Sequence, residues 1–529
     1  MIYDLKMYGG RPKKLTFLIL IALFLALLIF RLAPELKTLY PIGQDTQQYL
    51  LAAKNFVRIP ITTPYPLLYN ILGLLYYFGV DVAIVMKVLP AVMYGILGIS
   101  IFVFCHKSLN WDSSKSCICA SIICFSPVTL RIGFELHNQF FSLIIFFILM
   151  AFLDKYMESA RFLYRRDVMF LLGIVLLGFS HWFTAIFLLY ILTCQTIIKT
   201  VLILRGKISE SKVLIKLVLA CVVLIASCLI GYILILYPFK PDVRGSLFHV
   251  DSKRTVSWLC QLLFYSYYVN IIFAITGIMC KQSVLYMFSF PILGILLWLV
   301  SGFSFILPVE RYVWLLVFSL GIFTTNGIYK IVHWTCSTRM TTTLRIFSRL
   351  RLRIPLELGL RMFLIVVVTT LLLWHSLSMS QIILPPDFLG EAPYTFPGNI
   401  LYNGILCRDM KHFDRLVRFV NNVTTSNDLI ITHYTISGWI YYYTNCQVAR
   451  LNDVAFSDSF IIISSDHSIE IHHVTAKDVN ELITIVKKLH FSRIYFIDAY
   501  GKITKILPLE RVRLIYTDGP FSVYILKSS

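Results

Sequence analysis

Asp45 sits in the segment Pro41-Ile42-Gly43-Gln44-Asp45-Thr46-Gln47-Gln48-Tyr49-Leu50-Leu51-Ala52-Ala53-Lys54-Asn55. Tyr49, Leu50 and Ala53 recur at helical spacing, so Asp45 stands at or just before the start of an amphipathic helix expected to lie on a membrane. A carboxylate in that position can cap the helix through its oxygen. It can also accept a proton from an incoming hydroxyl. Glu135 and His137 follow in Glu135-Leu136-His137-Asn138. On a helix two such positions diverge by about 200°, so they serve one ion together only if the segment is extended. A carboxylate near lipid is costly, which favours a chemical task for Glu135 over helix initiation alone. His137 suits an interfacial position as well as a site. Arg311, in Leu307-Pro308-Val309-Glu310-Arg311-Tyr312, opens an apolar run. Its guanidinium can hold a phosphate with paired N–H donors, snorkel, or pair with Glu310. Ser180-His181-Trp182 forms a turn between apolar runs, where the Trp also suits an interface anchor. Asp466, His467, Glu470, His472 and His473 gather titratable groups, but their spacing fits no site of three or four converging ligands. No metal site is assigned.

The elements that must position these residues follow from composition. Of 529 residues, 58% are apolar and 14% charged. An ordinary globular domain has about 45–50% and about 25%. Mean hydropathy is +0.76. A core hides only part of such a surplus, so the rest must face lipid. That excludes a soluble enzyme, a disordered chain and a fibrous one. Lys and Arg number 48 against 28 Asp and Glu, a net charge of +20. The bases flank apolar segments, as membrane topology is written, so nucleic acid is set aside as a partner.

Apolar runs predict about eleven spans: 15–32, 82–105, 117–130, 139–153, 168–179, 182–198, 214–237, 267–280, 284–300, 312–329 and 360–379. The first lacks a small-x-small cleavage site, since Arg31 and Ala33-Pro34-Glu35 close it, and is expected to remain uncleaved. Base clusters at 155–166, 199–216 and 330–361 mark the cytoplasmic side. The loop 33–81 carries only Lys37, Lys54 and Arg58 and is expected outside; 238–257, with Lys240, Arg244, Lys253 and Arg254, is a mild exception. The N-terminus is therefore expected in the cytoplasm and the C-terminus outside. After residue 379 the composition becomes mixed. Strands are expected at 428–432, 459–464, 493–497, 511–516 and 521–526 and helices at 409–421, 436–443 and 476–490, giving a small α/β domain at 380–529 that folds separately from the polytopic domain 1–379. Thr517-Asp518-Gly519-Pro520 predicts a hairpin turn. Most of the 12 cysteines lie in or beside spans. Only Cys407 and Cys446 fall in the C-terminal domain, and their pairing stays open. Asn422-Val423-Thr424 is a glycosylation acceptor pattern.

The pattern Asp45-x-x-x-Tyr49-x-x-x-Ala53, then Pro66-Leu67-Leu68-Tyr69, resembles the first outer loop of the GT-C glycosyltransferases. That superfamily includes dolichyl-phosphate-mannose-dependent protein mannosyltransferases, lipid A aminoarabinose transferases and oligosaccharyltransferase catalytic subunits. Phe125-Ser126-Pro127-Val128-Thr129-Leu130-Arg131 with Glu135-Leu136-His137-Asn138 resembles its second outer loop. Ser180-His181-Trp182 is similar to its Gly/His turn, and Arg311-Tyr312 to its Arg-Tyr element near the lipid phosphate. In the mannosyltransferases a Glu commonly follows the first-loop acid, whereas Thr46 follows Asp45 here. The resemblance implies a multi-pass GT-C fold and a membrane glycosyltransferase, with a polyprenyl- or dolichyl-phosphate sugar as donor and a lipid, glycan or protein as acceptor. It implies Asp45 as general base, Glu135 as a group that orients the acceptor or helps to ligate a divalent ion if one is used, and Arg311 as the donor-phosphate ligand. Tyr49, His137, His181 and Tyr312 become candidate donor or acceptor contacts. No other cofactor is implied, and the plasma membrane is the expected location. Two other readings stand beside this one: a transporter or flippase for lipid-linked sugars, and a non-catalytic subunit of a glycosylation complex. The long first loop, the absence of repeated halves and the appended domain count against the transporter.

Overall fold

The structure is a computed structural model. It describes residues 12–37, 39–43, 46–54, 66–158, 165–205, 211–236, 267, 270–279, 281–300, 309–347, 363, 365–371, 409–444, 446–451, 459–464, 469–474, 491–501, 503–504, 507 and 510–527. The chain divides into two compact units. One comprises Met1–Leu32, Pro64–Leu67 and Leu89–Pro397; the other comprises Ala33–Thr63, Leu68–Val88 and Gly398–Ser529.

The first unit is helical. Its elements come from α1 (Pro12–Lys37), α4 (Val82–Lys107), α5 (Ser113–Cys124), α6 (Pro127–Glu135), α7 (His137–Glu158), α8 (Arg165–Ser180), α9 (Trp182–Leu204), α10 (Ser211–Leu236), α11 (Gln282–Val300) and α12 (Val309–Phe347). Seven described helices are long and apolar enough to cross a membrane, or eight if α5 and α6 count as one bent span, so the chain is a multi-pass membrane protein. Large apolar side chains such as Leu18 and Ile29 are each 61% exposed, a surface suited to lipid and not to water. Eleven spans are not reached among the described residues. Helix α8 has 16 residues, only 270–277 of the expected 267–280 forms a continuous helix, and 360–379 lies mostly outside the described set. The expected span 117–130 is not continuous. Helix α5 stops at Cys124, Ser126 Oγ accepts from the Val128 N–H at 3.3 Å, and Pro127 opens α6 at a bend of 68°. Proline lacks an N–H to donate and disfavours a helical residue before it, so it starts a helix here and does not continue one. Elsewhere in this unit Lys216 meets Asp167 at 2.9 Å, and the Tyr156 hydroxyl donates to the Lys216 carbonyl, tying α7, α8 and α10 together.

The second unit is a seven-stranded sheet with helices. In chain order its elements are α2 (Thr46–Lys54), α3 (Pro66–Tyr77), α13 (Met410–Val423), β1 (Leu429–His433), α14 (Tyr434–Tyr443), β2 (Gln447–Leu451), β3 (Ser459–Ser464), β4 (Ile469–Val474), β5 (Ile494–Ala499), β6 (Val512–Asp518) and β7 (Phe521–Leu526). The sheet order is β4-β3-β2-β1-β5-β7-β6. β1 pairs in parallel with β2 (Ile430 opposite Val448) and with β5 (Ile430 opposite Tyr495); the remaining pairs are antiparallel. The runs Leu429-Ile430-Ile431 and Ile494-Tyr495-Phe496-Ile497 are wholly buried, as strands in the parallel middle of a sheet must be. β6 and β7 form the expected hairpin, turning at Gly519 with φ +56°, a conformation that glycine adopts at little cost. β2 and β4 complete the sheet beyond the strands read from sequence. The expected helix 476–490 lies outside the described residues, as does Cys407. Cys446 is a buried thiol that donates to the Thr424 hydroxyl at 2.8 Å.

Helix α2 corrects one expectation. Its Thr46, Gln47, Tyr49, Leu50 and Ala53 are buried, but the surface that covers them is protein: α2 packs on α14. The Gly438 N–H donates to Gln47 Oε1 at 3.2 Å, and a Cβ on Gly438 would lie 3.0 Å from the Gln47 side chain. Lys54 Nζ donates to the carbonyls of Tyr441, Tyr442 and Thr444 at 2.6, 3.3 and 2.8 Å, closing the C-terminal end of α14 with a cation. Lys54→Met keeps the aliphatic stem and removes those bonds. It is expected to cost about 1.5–3 kcal/mol, the range for hydrogen bonds to a charged group, and to lower the melting temperature in detergent by several degrees.

Candidate active site

Arg311 lies in the first turn of α12 and is half-buried. Its Nη1 donates to His181 Nε2 at 3.3 Å. His181 is 5% exposed and stands at the N-cap position of α9 in an extended backbone (φ −166°). In the sequence the two residues stand in separate elements; the fold brings them together across 130 positions. Burial and the adjacent guanidinium both oppose a second proton on the imidazole, so His181 is neutral. Tyr312, next to Arg311, is packed away: its ring lies edge-on to Phe183 at 5.2 Å and against Phe290 at 5.8 Å, over Gly294, where a Cβ would sit 2.1 Å from the ring. Tyr312 thus anchors α12 against α9 and α11 and fixes where Arg311 emerges.

The junction of α6 and α7 holds a second group in the same unit. His137 opens α7 and is 1% exposed. Asn138 and Gln139 beside it are buried. Beneath them runs Arg31 of α1, wholly buried, its guanidinium 3.4 Å over the Phe134 ring and 3.5 Å from the Gly133 carbonyl oxygen. A Cβ on Gly133 would lie 3.0 Å from the Tyr94 ring, which stacks on Phe140 at 5.3 Å, and the Tyr94 hydroxyl donates to the Cys124 carbonyl at the end of α5. Arg31 was legible as an ionisable residue inside an apolar run, a placement that marks function by default. The Glu135 side chain is outside the described residues, although its backbone ends α6.

Asp45 also lies outside the described residues. The helix after it, α2, is described with the second unit. There Tyr49 is 4% exposed and stacks on Tyr69 at 4.7 Å with 14° between the rings. Of the titratable group at 466–473, Glu470, His472 and His473 fall on β4, opposite Ile463, Ile461 and Phe460 of β3; Asp466 and His467 are outside the described residues. Among the described residues no three His, Cys, Asp or Glu side chains gather around one point. In chemical terms the described site offers a guanidinium held at the edge of a span by a neutral imidazole, able to grip an anion.

Comparison with known proteins bears on the fold. No family model matches the chain, and no curated protein sequence does. Solved structures match across its length. ArnT from Cupriavidus metallidurans in the apo state aligns with TM-score 0.54 and 11% identity, over 96% of this chain and 97% of ArnT. The same enzyme bound to undecaprenyl phosphate aligns with TM-score 0.53 and 10% identity, over 96% and 97%. The oligosaccharyltransferase of Archaeoglobus fulgidus aligns with TM-score 0.50 and 10% identity, over 93% of this chain and 70% of that one. The chain shares the fold of these structures over nearly its whole length.

Proposed function

We propose that this protein is a membrane glycosyltransferase that takes its sugar from a polyprenyl- or dolichyl-phosphate carrier and passes it to a hydroxyl-bearing lipid, glycan or protein. The observation that carries this reading is the fold match over nearly the whole chain to structures that include one bound to undecaprenyl phosphate. Arg311, half-buried at the edge of a span and paired with a neutral histidine, supplies a fitting phosphate ligand. In the step proposed, Asp45 accepts the proton of the acceptor hydroxyl as its oxygen bonds to the anomeric carbon. The bond from that carbon to the phosphate oxygen breaks, and the electron pair leaves on the carrier phosphate. Arg311 stabilises that charge. Glu135 orients the acceptor, with His137, His181, Tyr49 and Tyr312 shaping the surroundings. If a divalent ion takes part, Glu135 helps to hold it.

Purified protein in liposomes with radiolabelled polyprenyl-phosphate sugar tests the reading. Transfer to acceptor is the expected result. Movement of the lipid across the bilayer without transfer would make the chain a flippase. Neither would make it a non-catalytic subunit. The proposed topology has the N-terminus in the cytoplasm and residues 380–529 outside, at the plasma membrane. Protease added to intact cells is accordingly expected to cleave within 380–529. Cleavage in inside-out vesicles alone would invert the topology and remove the outer-face chemistry with it.

A further inference from the structure

The polar contacts of His181 do not end at Arg311. The Thr184 Oγ1 lies 3.3 Å from His181 Nδ1, the Ser142 Oγ lies 2.7 Å from Thr184 Oγ1, and the Gln139 carbonyl oxygen lies 2.6 Å from Ser142 Oγ. Thr184 and Ser142 are wholly buried. The direction of every hydrogen bond in this row can be assigned. A guanidinium has no acceptor, so Arg311 donates and His181 Nε2 accepts. A neutral imidazole with a bare Nε2 carries its proton on Nδ1, which then donates to Thr184 Oγ1. A carbonyl has no proton, so Ser142 donates to Gln139 and must accept from Thr184. Donors and acceptors alternate without conflict from α12 through α9 to α7. The alternative is a contact from the Thr184 backbone N–H to Nδ1, at 3.4 Å. It needs the proton on Nε2, and that would turn an N–H against the N–H of Arg311.

We propose that Thr184 and Ser142 are positioning residues that hold His181 as its Nδ1–H tautomer, so that Nε2 presents a lone pair to Arg311 and fixes the guanidinium for a phosphate. The assignment of the phosphate rests on the function proposed above; the assignment of the tautomer does not. A hydroxyl at 184 is the device. Without it nothing in the row rewards a proton on Nδ1, the ring reverts toward Nε2–H, and the His181 contact that orients Arg311 is lost.

Two measurements on the full-length protein in lipid nanodiscs separate the parts. The first is solid-state NMR of histidine labelled with carbon-13 and nitrogen-15, with His181 identified by the signals lost in His181→Gln. The wild type is expected to show the Nδ1–H tautomer, Thr184→Val a shift toward Nε2–H, and Thr184→Ser the wild-type pattern. An Nε2–H ring in the wild type, or an unchanged ring in Thr184→Val, overturns the proposal. The second is the affinity for undecaprenyl phosphate. Thr184→Val is expected to weaken it about 2- to 10-fold, the equivalent of one neutral hydrogen bond, and Thr184→Ser to restore it. Equal losses in the Val and Ser variants mark Thr184 as a packing residue and overturn the positioning role. If Arg311→Ala leaves the affinity unchanged, the phosphate reading fails, while the NMR result still decides the tautomer.

Discussion

Asp45→Asn is expected to lower the initial rate of sugar transfer by about 10²–10⁴-fold at saturating lipid donor. The amide keeps the shape of the carboxylate and can still cap α2 through its oxygen, so a helix-capping role alone leaves the rate close to wild type. It cannot take a proton from a hydroxyl. The rate is to be measured beside a melting curve in detergent. Lost rate with unchanged melting supports a chemical role; parallel losses mark a cap; a wild-type rate ends the general-base assignment. Repeating the wild-type assay in excess chelator divides the chemical role in two. Activity that survives chelation leaves Asp45 as the base, and activity that vanishes makes its carboxylate a ligand.

The second large effect falls on binding. Arg311→Ala is expected to raise the apparent KM for the lipid donor about 10- to 100-fold, the loss of a charge-assisted contact of about 1.5–3 kcal/mol, and to leave the acceptor KM near wild type. Arg311→Lys recovers little if the phosphate is held by two N–H donors of one fork, because an ammonium cannot reproduce that geometry. An unchanged donor KM in Arg311→Ala returns the residue to the role of an interfacial anchor.

The local signals in the sequence were strong where one element declares itself. Apolar runs predicted α4, α9 and α11 because a span's length and composition are written in consecutive residues. The hairpin at Gly519 was legible because a positive φ selects glycine. Pro127 sat in plain view inside the expected span 117–130, and the rule that ends a helix before proline was available to divide it. What sequence could not supply was partnership. The buried face of α2 had the periodicity of an amphipathic helix, and both a bilayer and another helix satisfy that pattern. Only α14, far along the chain, decides between them. β2, Gln447-Val448-Ala449-Arg450-Leu451, is short and carries an arginine, so nothing in it announces a strand inside a sheet. For the site, Arg311 and His181 were each singled out, but their meeting is a product of helix packing. Arg31 is the opposite case: an arginine inside an apolar run is informative by type and position alone, and it is wholly buried over Phe134.

The seating of α2 on α14 has a consequence for how the chain is made. Gln47 and its partner Gly438 are separated by 391 positions. At about 5–20 residues per second, α2 waits on the order of 20–80 s before α14 leaves the ribosome. β1 waits a further 65 positions for β5, and β7 follows β5, so the sheet closes only when synthesis is nearly over. Through that interval Tyr69 is already available to stack on Tyr49, but the face of α2 that α14 covers is open, and a bilayer is one apolar phase that can take it. Helix α2 is therefore expected to rest on another apolar surface in the nascent chain and on α14 in the finished one. A stop codon anywhere before residue 434 removes α14 and leaves that face of α2 open in the truncated chain.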